Sequence, residues 1–251
     1  MPNLKVLILL LSLSSSVATA TVGNCVVRSG AMVLPLVELY TSEGCSSCPP
    51  ADAWLTTARR DDGINWVAFH VDYWDALGWR DRFADVRYSE RQRDRVAAAG
   101  ENTVYTPQVM SGPNLRVDWR SAKSFEKAVA AQRQQRAPTM IEMRYDVTSR
   151  KLDVTATRVA HADLVDPVLW VAEIESGLST QVRAGENARR ELHHDAVVRA
   201  LHGPFSIKAK DVAVSTRITL AADRPAQVVS WVEDARHVPR QSLALLGAGC
   251  N

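Results

Sequence analysis

The sequence predicts an α/β domain followed by an all-β, antiparallel sandwich-like domain, both behind an export signal. In residues 34–136, apolar runs alternate with helix-like stretches, the pattern of strands joined by helical crossovers. After Ala137-Pro138 the pattern changes to short runs in which apolar and polar residues alternate, as in antiparallel sheets. With 251 residues, 46% of them hydrophobic, the chain can bury a core in each of two domains. We therefore divide it into an export signal at residues 1–20, the α/β domain at residues 21–137 and the all-β domain at residues 138–251.

Residues 1–20 are predicted to form a cleaved signal peptide. They contain one charged side chain, Lys5, an apolar run at residues 6–13, and the small-x-small cleavage sequence Ala18-Thr19-Ala20. The apolar run is shorter than the ~20 residues of a membrane-spanning helix, and no later segment qualifies. A lipoprotein modified at Cys25 is the alternative, but Asn24 does not fit the small residue that precedes such a cysteine. We expect a periplasmic or secreted protein with no membrane span.

The charge balance argues against a nucleic-acid partner. The formal net charge of the whole chain is +2, and only Lys5 contributes charge in residues 1–20. The mature protein therefore has no excess of basic residues with which to bind phosphates. The sequence does not indicate an oligomeric state.

In the first predicted domain, two near-continuous apolar runs indicate buried parallel strands. These are "LPLVELY" at residues 34–40 and "INWVAFHVD" at residues 64–72, with a crossover helix at residues 51–60 between them. Residues 80–99 predict an exposed helix whose arginines and acids form a solvated face rather than a binding patch.

The end of this domain is predicted to contain a hairpin and a helix. Residues 103–110 and 114–119 would pair around Ser111-Gly112-Pro113. Ser121 is expected to cap a last helix, in which one face carries Phe125, Ala128, Val129 and Gln132.

The second predicted domain consists of short strands in which alternate residues point inward. In residues 140–147, for example, Ile141, Met143, Tyr145 and Val147 share one face. Four further runs have strand character, at residues 152–159, 168–175, 212–220 and 226–233. Short strands of period two separated by turn residues are typical of an antiparallel sandwich.

The sequence Cys45-Ser46-Ser47-Cys48 is the candidate redox centre. It directly follows a predicted strand and precedes a predicted helix, whose N-terminus would stabilise a thiolate. Cys45 would be the nucleophile, and Cys48 would resolve a mixed disulfide. The same spacing also supplies half of a zinc site, which would need two further ligands. Pro49-Pro50 would place Cys48 just outside the helix with Pro49 as its first residue, which weakens the stabilisation of the thiolate.

Thr106-Pro107 supports the redox interpretation. Proline interrupts a strand-like run here, where it would break a central ladder of hydrogen bonds. A cis peptide bond that turns the Thr106 backbone toward the thiols explains the position, and cis bonds are essentially confined to proline. An edge strand is the alternative.

These motifs together resemble a known superfamily. "VELYTSEGCSSC" resembles the opening of glutaredoxins, and with Thr106-Pro107 it is similar to the thioredoxin superfamily. More narrowly, "ELYTSEGCSSCPPAD", "HVDYWDALGW", "YTPQ" and "GENARR" resemble a family of secreted bacterial proteins of unknown function with a thioredoxin-like core. The resemblance implies a thioredoxin-like fold for residues 21–137. It also implies redox roles for Cys45 and Cys48, with Thr106 and the cis-proline position Pro107 beside the substrate.

Three residues after the second strand are candidates for a substrate-facing surface: His70, Asp72 and Trp74. Residues that follow parallel strands gather at one edge of the sheet, the edge that would also carry the Cys45 loop. The alternatives are that Trp74 and Trp79 cover the core and that His70 is a structural histidine. Elsewhere, His193 and His194 would face opposite sides of a strand, so no metal site is expected there.

The four cysteines are predicted to form two disulfides. Close spacing favours Cys45 with Cys48, which leaves Cys25 and Cys250 near the two ends of the mature chain as a structural pair. Free thiols or intermolecular pairing of Cys25 and Cys250 are the alternative.

The function that the sequence favours is thiol–disulfide exchange with protein or small-molecule partners, without a cofactor or a metal ion. The first alternative is a copper-binding protein or copper chaperone, because soft thiolates select Cu(I). The second is a non-catalytic binding module in which the Cys45–Cys48 disulfide is structural.

Overall fold

Strands dominate the structure, a computed structural model that describes residues 24–61, 63–160, 162–207 and 213–247. Within these ranges there are thirteen strands: β1 (Asn24–Arg28), β2 (Leu36–Thr41), β3 (Asn65–His70), β4 (Gln108–Ser111), β5 (Thr139–Asp146), β6 (Lys151–Arg158), β7 (Val168–Glu175), β8 (Leu178–Gln181), β9 (Glu191–His194), β10 (Val197–Ser206), β11 (Val214–Thr219), β12 (Gln227–Glu233) and β13 (Pro239–Leu246). The α-helices of the same ranges are α1 (Pro49–Ala58), α2 (Val86–Ala98) and α3 (Ala122–Arg133). The predicted signal peptide at residues 1–20 and Cys250 of the predicted Cys25–Cys250 pair lie outside the described residues.

One mixed sheet contains strands from both halves of the chain. Its seven strands have the order β13-β12-β7-β10-β3-β2-β4. As predicted, β2 and β3 are parallel and α1 crosses between them. Strand β10 joins β3 in parallel at Val197 and Ala68. A second, four-stranded antiparallel sheet has the order β1-β5-β6-β11, and β8 and β9 form a separate pair.

The predicted fold class, a thioredoxin-like α/β domain followed by an all-β sandwich-like domain, is wrong. The structure is mostly β, and the seven-stranded sheet runs through both segments. In β7, Ala172 and Ile174 pack into the core that contains the helices, whereas Leu169 and Val171 pack against the four-stranded sheet. The near-continuous apolar sequence of β7 is the signature of a strand buried on both faces, as β7 is here. The division of the chain at residue 137 stays a prediction.

Helices α1 and α3 begin at the positions that Pro49 and Ser121 mark in the sequence, although apolar patterning predicts the first helix two residues later, at 51–60. Pro49 is the first residue of α1 and Cys48 is its N-cap. At the start of α3, the Ser121 side chain accepts a hydrogen bond from the Ser124 backbone N–H. None of the helices in the described ranges is long and apolar enough to cross a membrane.

The predicted hairpin of residues 103–110 and 114–119 is wrong in most of its length, because only β4, Gln108–Ser111, forms a strand. Residues 114–119 form no strand in the structure, although Val117 N–H donates to the Val109 carbonyl. Leu115 and Val117 are both buried in the helical core. The segment is therefore held by the burial of these two side chains and not by a regular ladder of strand hydrogen bonds.

Part of the charged face of helix α2 is buried, although the sequence predicts a solvated face. Arg91 is buried and binds two carboxylates: its Nη2 lies 2.6 Å from Glu38 Oε1 and 2.8 Å from Glu233 Oε2. Arg95 is buried one turn later and also contacts Glu38. Burial opposes ionisation of Glu233, but Arg91 outweighs it and holds the pKa of Glu233 well below its usual range. Sequence amphipathicity missed this network because arginines are mostly exposed and are fully buried only when paired.

We expect Arg91→Met to destabilise the protein by about 3–5 kcal/mol, because it leaves buried carboxylates without their cation. Urea denaturation measures the free energy of unfolding. The control is Arg93→Met, at an exposed position of the same helix, which should change stability by less than about 0.5 kcal/mol. Equal stabilities for the two variants would contradict a structural role of the network.

Candidate functional site at the Cys45–Cys48 loop

The predicted pairing of Cys45 with Cys48 is confirmed. The two residues form a disulfide in the loop between β2 and α1, with a Cα–Cα distance of 5.4 Å. Backbone turns hold this loop, since Cys48 N–H donates to the Cys45 carbonyl and Cys45 N–H donates to the Ser42 carbonyl. Both cysteines are 0% exposed, while Ser46 and Ser47 between them are exposed. The disulfide thus lies just under the surface at the N-terminus of α1.

The Thr106-Pro107 segment lies beside the disulfide loop. Its peptide bond is cis, as predicted. The Ser47 hydroxyl donates to the Thr106 carbonyl at 3.4 Å, and Ser47 Oγ also lies 3.4 Å from Cys45 Sγ. Trp74 Nε1 donates to Thr106 Oγ1 at 2.8 Å. The structure therefore brings Thr106, Pro107 and Trp74 together with the candidate thiols.

The loop at residues 182–190, here called the covering loop, closes over the disulfide from the second half of the chain. It connects β8 to β9. The Asn187 side-chain amide donates to the carbonyls of Glu43 and Cys45, each at 2.9 Å. The Ser46 N–H donates to Glu186 Oε2 at 3.0 Å. No sequence pattern predicts a role for this loop at the site. Glu186 and Asn187 do lie in "GENARR", one of the segments that resemble the family of secreted bacterial proteins.

Beneath the disulfide loop lies a buried ionisable cluster, made of Glu43, Asp52, His70, Asp81 and His194. His70 Nδ1 lies 2.6 Å from Asp81 Oδ2. The rings of His70 and His194 meet edge to face, with centroids 4.9 Å apart. His194 Nε2 lies 3.4 Å from Glu43 Oε1, and its Nδ1 lies 3.9 Å from Asp52 Oδ2. No local sequence pattern predicts this cluster, because its members come from five separate segments.

Two of the three predicted surface residues occupy other positions. His70 is buried within the ionisable cluster rather than facing substrate. Asp72 points to α2, where its side chain accepts a hydrogen bond from the Ser89 hydroxyl. Only Trp74 reaches the disulfide loop, through Thr106. His193 is exposed and His194 is buried, on opposite sides of β9.

The charges of the cluster are coupled. Burial disfavours the imidazolium of His70, but the Asp81 carboxylate outweighs it and raises the pKa of His70 above its usual value. Burial likewise opposes ionisation of Asp81, yet the contact with His70 lowers the pKa of Asp81. Burial raises the pKa of Asp52, against the opposing effect of His194. The site therefore keeps an ion pair at His70–Asp81 and a carboxyl that binds protons more tightly than usual at Asp52.

The cluster does not have the geometry of a metal centre. In the part of the chain that the structure describes, no group of three or more His, Cys, Asp or Glu side chains is arranged to hold a metal ion. Among the described residues, the copper alternative has Cys45 and Cys48 as its candidate ligands.

The His70–Asp81 pair predicts a specific dependence of stability on pH. Because its folded pKa is raised, His70 contributes stability fully below the unfolded pKa of about 6.5 and loses it as pH rises through the folded pKa. Asp81 contributes above its unfolded pKa of about 3.9 and loses its contribution as pH falls through its lowered folded pKa. We expect the free energy of unfolding to fall as pH rises above about 6.5, by about 1.4 kcal/mol per unit of pKa difference.

Urea denaturation at several pH values tests this expectation. His70→Gln should flatten the decline above neutral pH, whereas the control His193→Gln, at an exposed position of β9, should keep it. The contribution of Asp52 to stability also falls as pH rises, starting from about 3.9. Asp52 is present in both variants, so it does not produce a difference between them. An unchanged pH dependence in His70→Gln would show that the pair does not supply the effect.

Comparisons with known proteins agree with the architecture. The family model "Protein of unknown function (DUF1223)" matches residues 36–233. The crystal structure of protein AGR_C_4864 from Agrobacterium tumefaciens is 21% identical, with a TM-score of 0.67 over 87% of this chain and 96% of that one. HBP35 of Porphyromonas gingivalis is 12% identical, with a TM-score of 0.66 over 88% of this chain and 77% of that one. At these identities the likeness shows the fold alone, and no curated protein matches the sequence. Since the family model spans most of the chain, the protein belongs to the DUF1223 family of proteins of unknown function.

Proposed function

We propose that the protein is an exported thiol–disulfide oxidoreductase in which Cys45 attacks and Cys48 resolves. The observation that carries the proposal is the disulfide at the N-terminus of α1, in hydrogen-bond contact with the Thr106-Pro107 segment through Ser47. A helix N-terminus favours a thiolate over a thiol. The neighbouring backbone at Thr106 offers a surface along which an extended substrate would lie.

The reaction conserves thiols and electrons. In the reduced protein, the Cys45 thiolate attacks one sulfur of a substrate disulfide, forms a mixed disulfide and releases the first substrate thiolate. The Cys48 thiolate then attacks Cys45 Sγ, which forms the Cys45–Cys48 disulfide and releases the second substrate thiolate. Two electrons pass to the substrate, and its thiolates take up protons. The reverse sequence oxidises a dithiol substrate, and both protein and small-molecule thiols fit this chemistry.

In this mechanism the covering loop must move before exchange begins. Both sulfurs are buried, and the hydrogen bonds of Asn187 and Glu186 hold the covering loop over them. A typical hydrogen bond contributes only about 1 kcal/mol net, so a substrate that forms its own contacts with the loop can displace it. Glu43 of the buried ionisable cluster lies in the disulfide loop itself, and its carbonyl accepts one of the Asn187 hydrogen bonds.

The second candidate is a binding module in which the disulfide only stiffens the loop. The complete burial of Cys45 and Cys48 favours this candidate. A structural disulfide of this kind resists reduction by the glutathione pool, whereas a catalytic one exchanges with it. Reactivity toward glutathione therefore separates the two candidates.

We expect the Cys45–Cys48 pair to equilibrate with glutathione buffers, as measured by thiol alkylation and mass spectrometry. Cys45→Ser should abolish activity in insulin reduction and in refolding assays, while Ser46→Ala, at the exposed position between the cysteines, should retain it. The titration is run with and without Cu(I), so that stoichiometric copper uptake by the reduced protein identifies the metal-binding alternative. A disulfide that stays intact at every glutathione ratio would establish the structural role and reject the oxidoreductase.

Asn187→Ala should accelerate reduction of the disulfide by dithiothreitol about tenfold or more, because it removes two hydrogen bonds of about 1 kcal/mol each from the covering loop. The rate is followed by quenched alkylation of Cys45. Arg183→Ala, at an exposed position of the same loop, serves as the control and should leave the rate unchanged. Equal rates in all three proteins would mean that the loop does not limit access.

A further inference from the structure

We propose that a cavity remote from the disulfide binds a small organic anion with an apolar body, of the kind represented by a medium-chain carboxylate. The cavity lies between the end of α2, α3, the turn after β4 and the start of β13, and its volume is about 430 Å³. Sites for small organic ligands have volumes of about 300–1,000 Å³. The cavity shares no lining residue with the disulfide loop, the covering loop or the buried ionisable cluster among the described residues.

Part of the cavity lining is apolar. Val33, Leu115, Val238 and Pro239 contribute to it, and Ala98 of α2 forms part of its wall with a small side chain. Leu115 and Val33 are each 7% exposed, so the cavity reaches the edge of the core. Removing an alkyl or aromatic body of a ligand from water at this wall supplies the favourable apolar burial.

Positive charge also lines the cavity. Three arginines line the cavity, Arg95, Arg236 and Arg240, and none of the described lining residues is acidic. Arg240 Nη1 lies 3.0 Å from Asp234 Oδ2, and the Arg236 backbone N–H, rather than its guanidinium, donates to Asp234. The Asp234 carboxylate therefore pairs with the Arg240 guanidinium at this rim.

Arg95 adds a buried charge to the lining. Its side chain is 1% exposed and contacts Glu38, but Glu38 also binds Arg91. Burial lowers the pKa of Arg95 to about 10, so its guanidinium remains charged at neutral pH. Arg91 and Arg95 are paired within the buried network, and Arg240 is paired with Asp234. Among the described residues, no carboxylate pairs with the exposed Arg236 guanidinium. An anionic ligand would balance the remaining positive charge, and guanidinium groups bind carboxylates through paired hydrogen bonds.

The apolar and basic residues of the lining together define the ligand class. An apolar molecule without charge leaves the Arg236 guanidinium without an anion, and an inorganic anion leaves the apolar part of the lining in contact with water. An organic anion places its charge at the guanidinium groups and its apolar body against the apolar residues. Its head would lie between Arg236, Arg240 and the buried Arg95, with its body along Ala98 and Leu115.

The test uses the full chain and two ligands of equal length, decanoate and decanol, in competition with the fluorescent sulfonate 1-anilinonaphthalene-8-sulfonate. We expect saturable binding of the probe and displacement by decanoate at concentrations at least tenfold lower than by decanol. Calorimetric titration with decanoate reports the direct affinity. Absence of saturable decanoate binding, or equal displacement by the two ligands, would overturn the proposal.

Two variants with matched controls locate the site. Ala98→Phe fills the cavity and should weaken decanoate binding at least tenfold, whereas Ala97→Phe, at the exposed neighbouring position of α2, should not. Arg236→Gln removes an exposed guanidinium and should weaken decanoate binding severalfold, whereas Arg93→Gln, also exposed, should not. Thermal unfolding verifies that each variant is folded. Wild-type affinity in both Ala98→Phe and Arg236→Gln would reject this cavity as the site.

Discussion

Arg91 joins two buried carboxylates from strands that are not neighbours in the sheet, Glu38 of β2 and Glu233 of β12. Each carboxylate would be costly to bury alone, because an isolated charge loses its hydration without compensation. Arg91 supplies the compensation only when α2 lies against both strands. The Arg91 guanidinium also lies 5.0 Å from the centre of the Trp231 ring, a favourable contact between a cation and an aromatic face. This interaction connects α2 to sheet strands from both halves of the chain.

The same shared sheet creates the candidate site. Strand β10 pairs with β3 at Val197 and Ala68, only three residues after His194 and two before His70. This pairing carries His194 into contact with His70 and delivers the covering loop to the Cys45 carbonyl. Had the second half folded as an independent sandwich, neither contact would exist. The environment of the disulfide is therefore a product of both halves of the chain.

The local parts of the site were predictable because their signals are local. The spacing of Cys45 and Cys48 predicted their disulfide, and Pro49 marked the first residue of α1. Pro107 indicated its own cis bond by interrupting a strand-like run. The members of the buried ionisable cluster gave no such signal. Aspartate, glutamate and histidine are common at protein surfaces, and their burial here depends on partners distant in sequence.

The sequence by itself determined the individual strands and helices of much of this protein, because hydrophobic periodicity, proline and capping residues act over a few positions. It determined that β2 and β3 are buried and that Ile141, Met143 and Tyr145 share an inward face. Only the tertiary structure decided how these strands assemble into sheets, since an apolar strand face packs equally well against any complementary layer. It also decided that Arg91 and Arg95 lie inside and that residues 182–190 cover the disulfide, because charge pairing and loop contacts across distant segments leave no periodic trace in the chain.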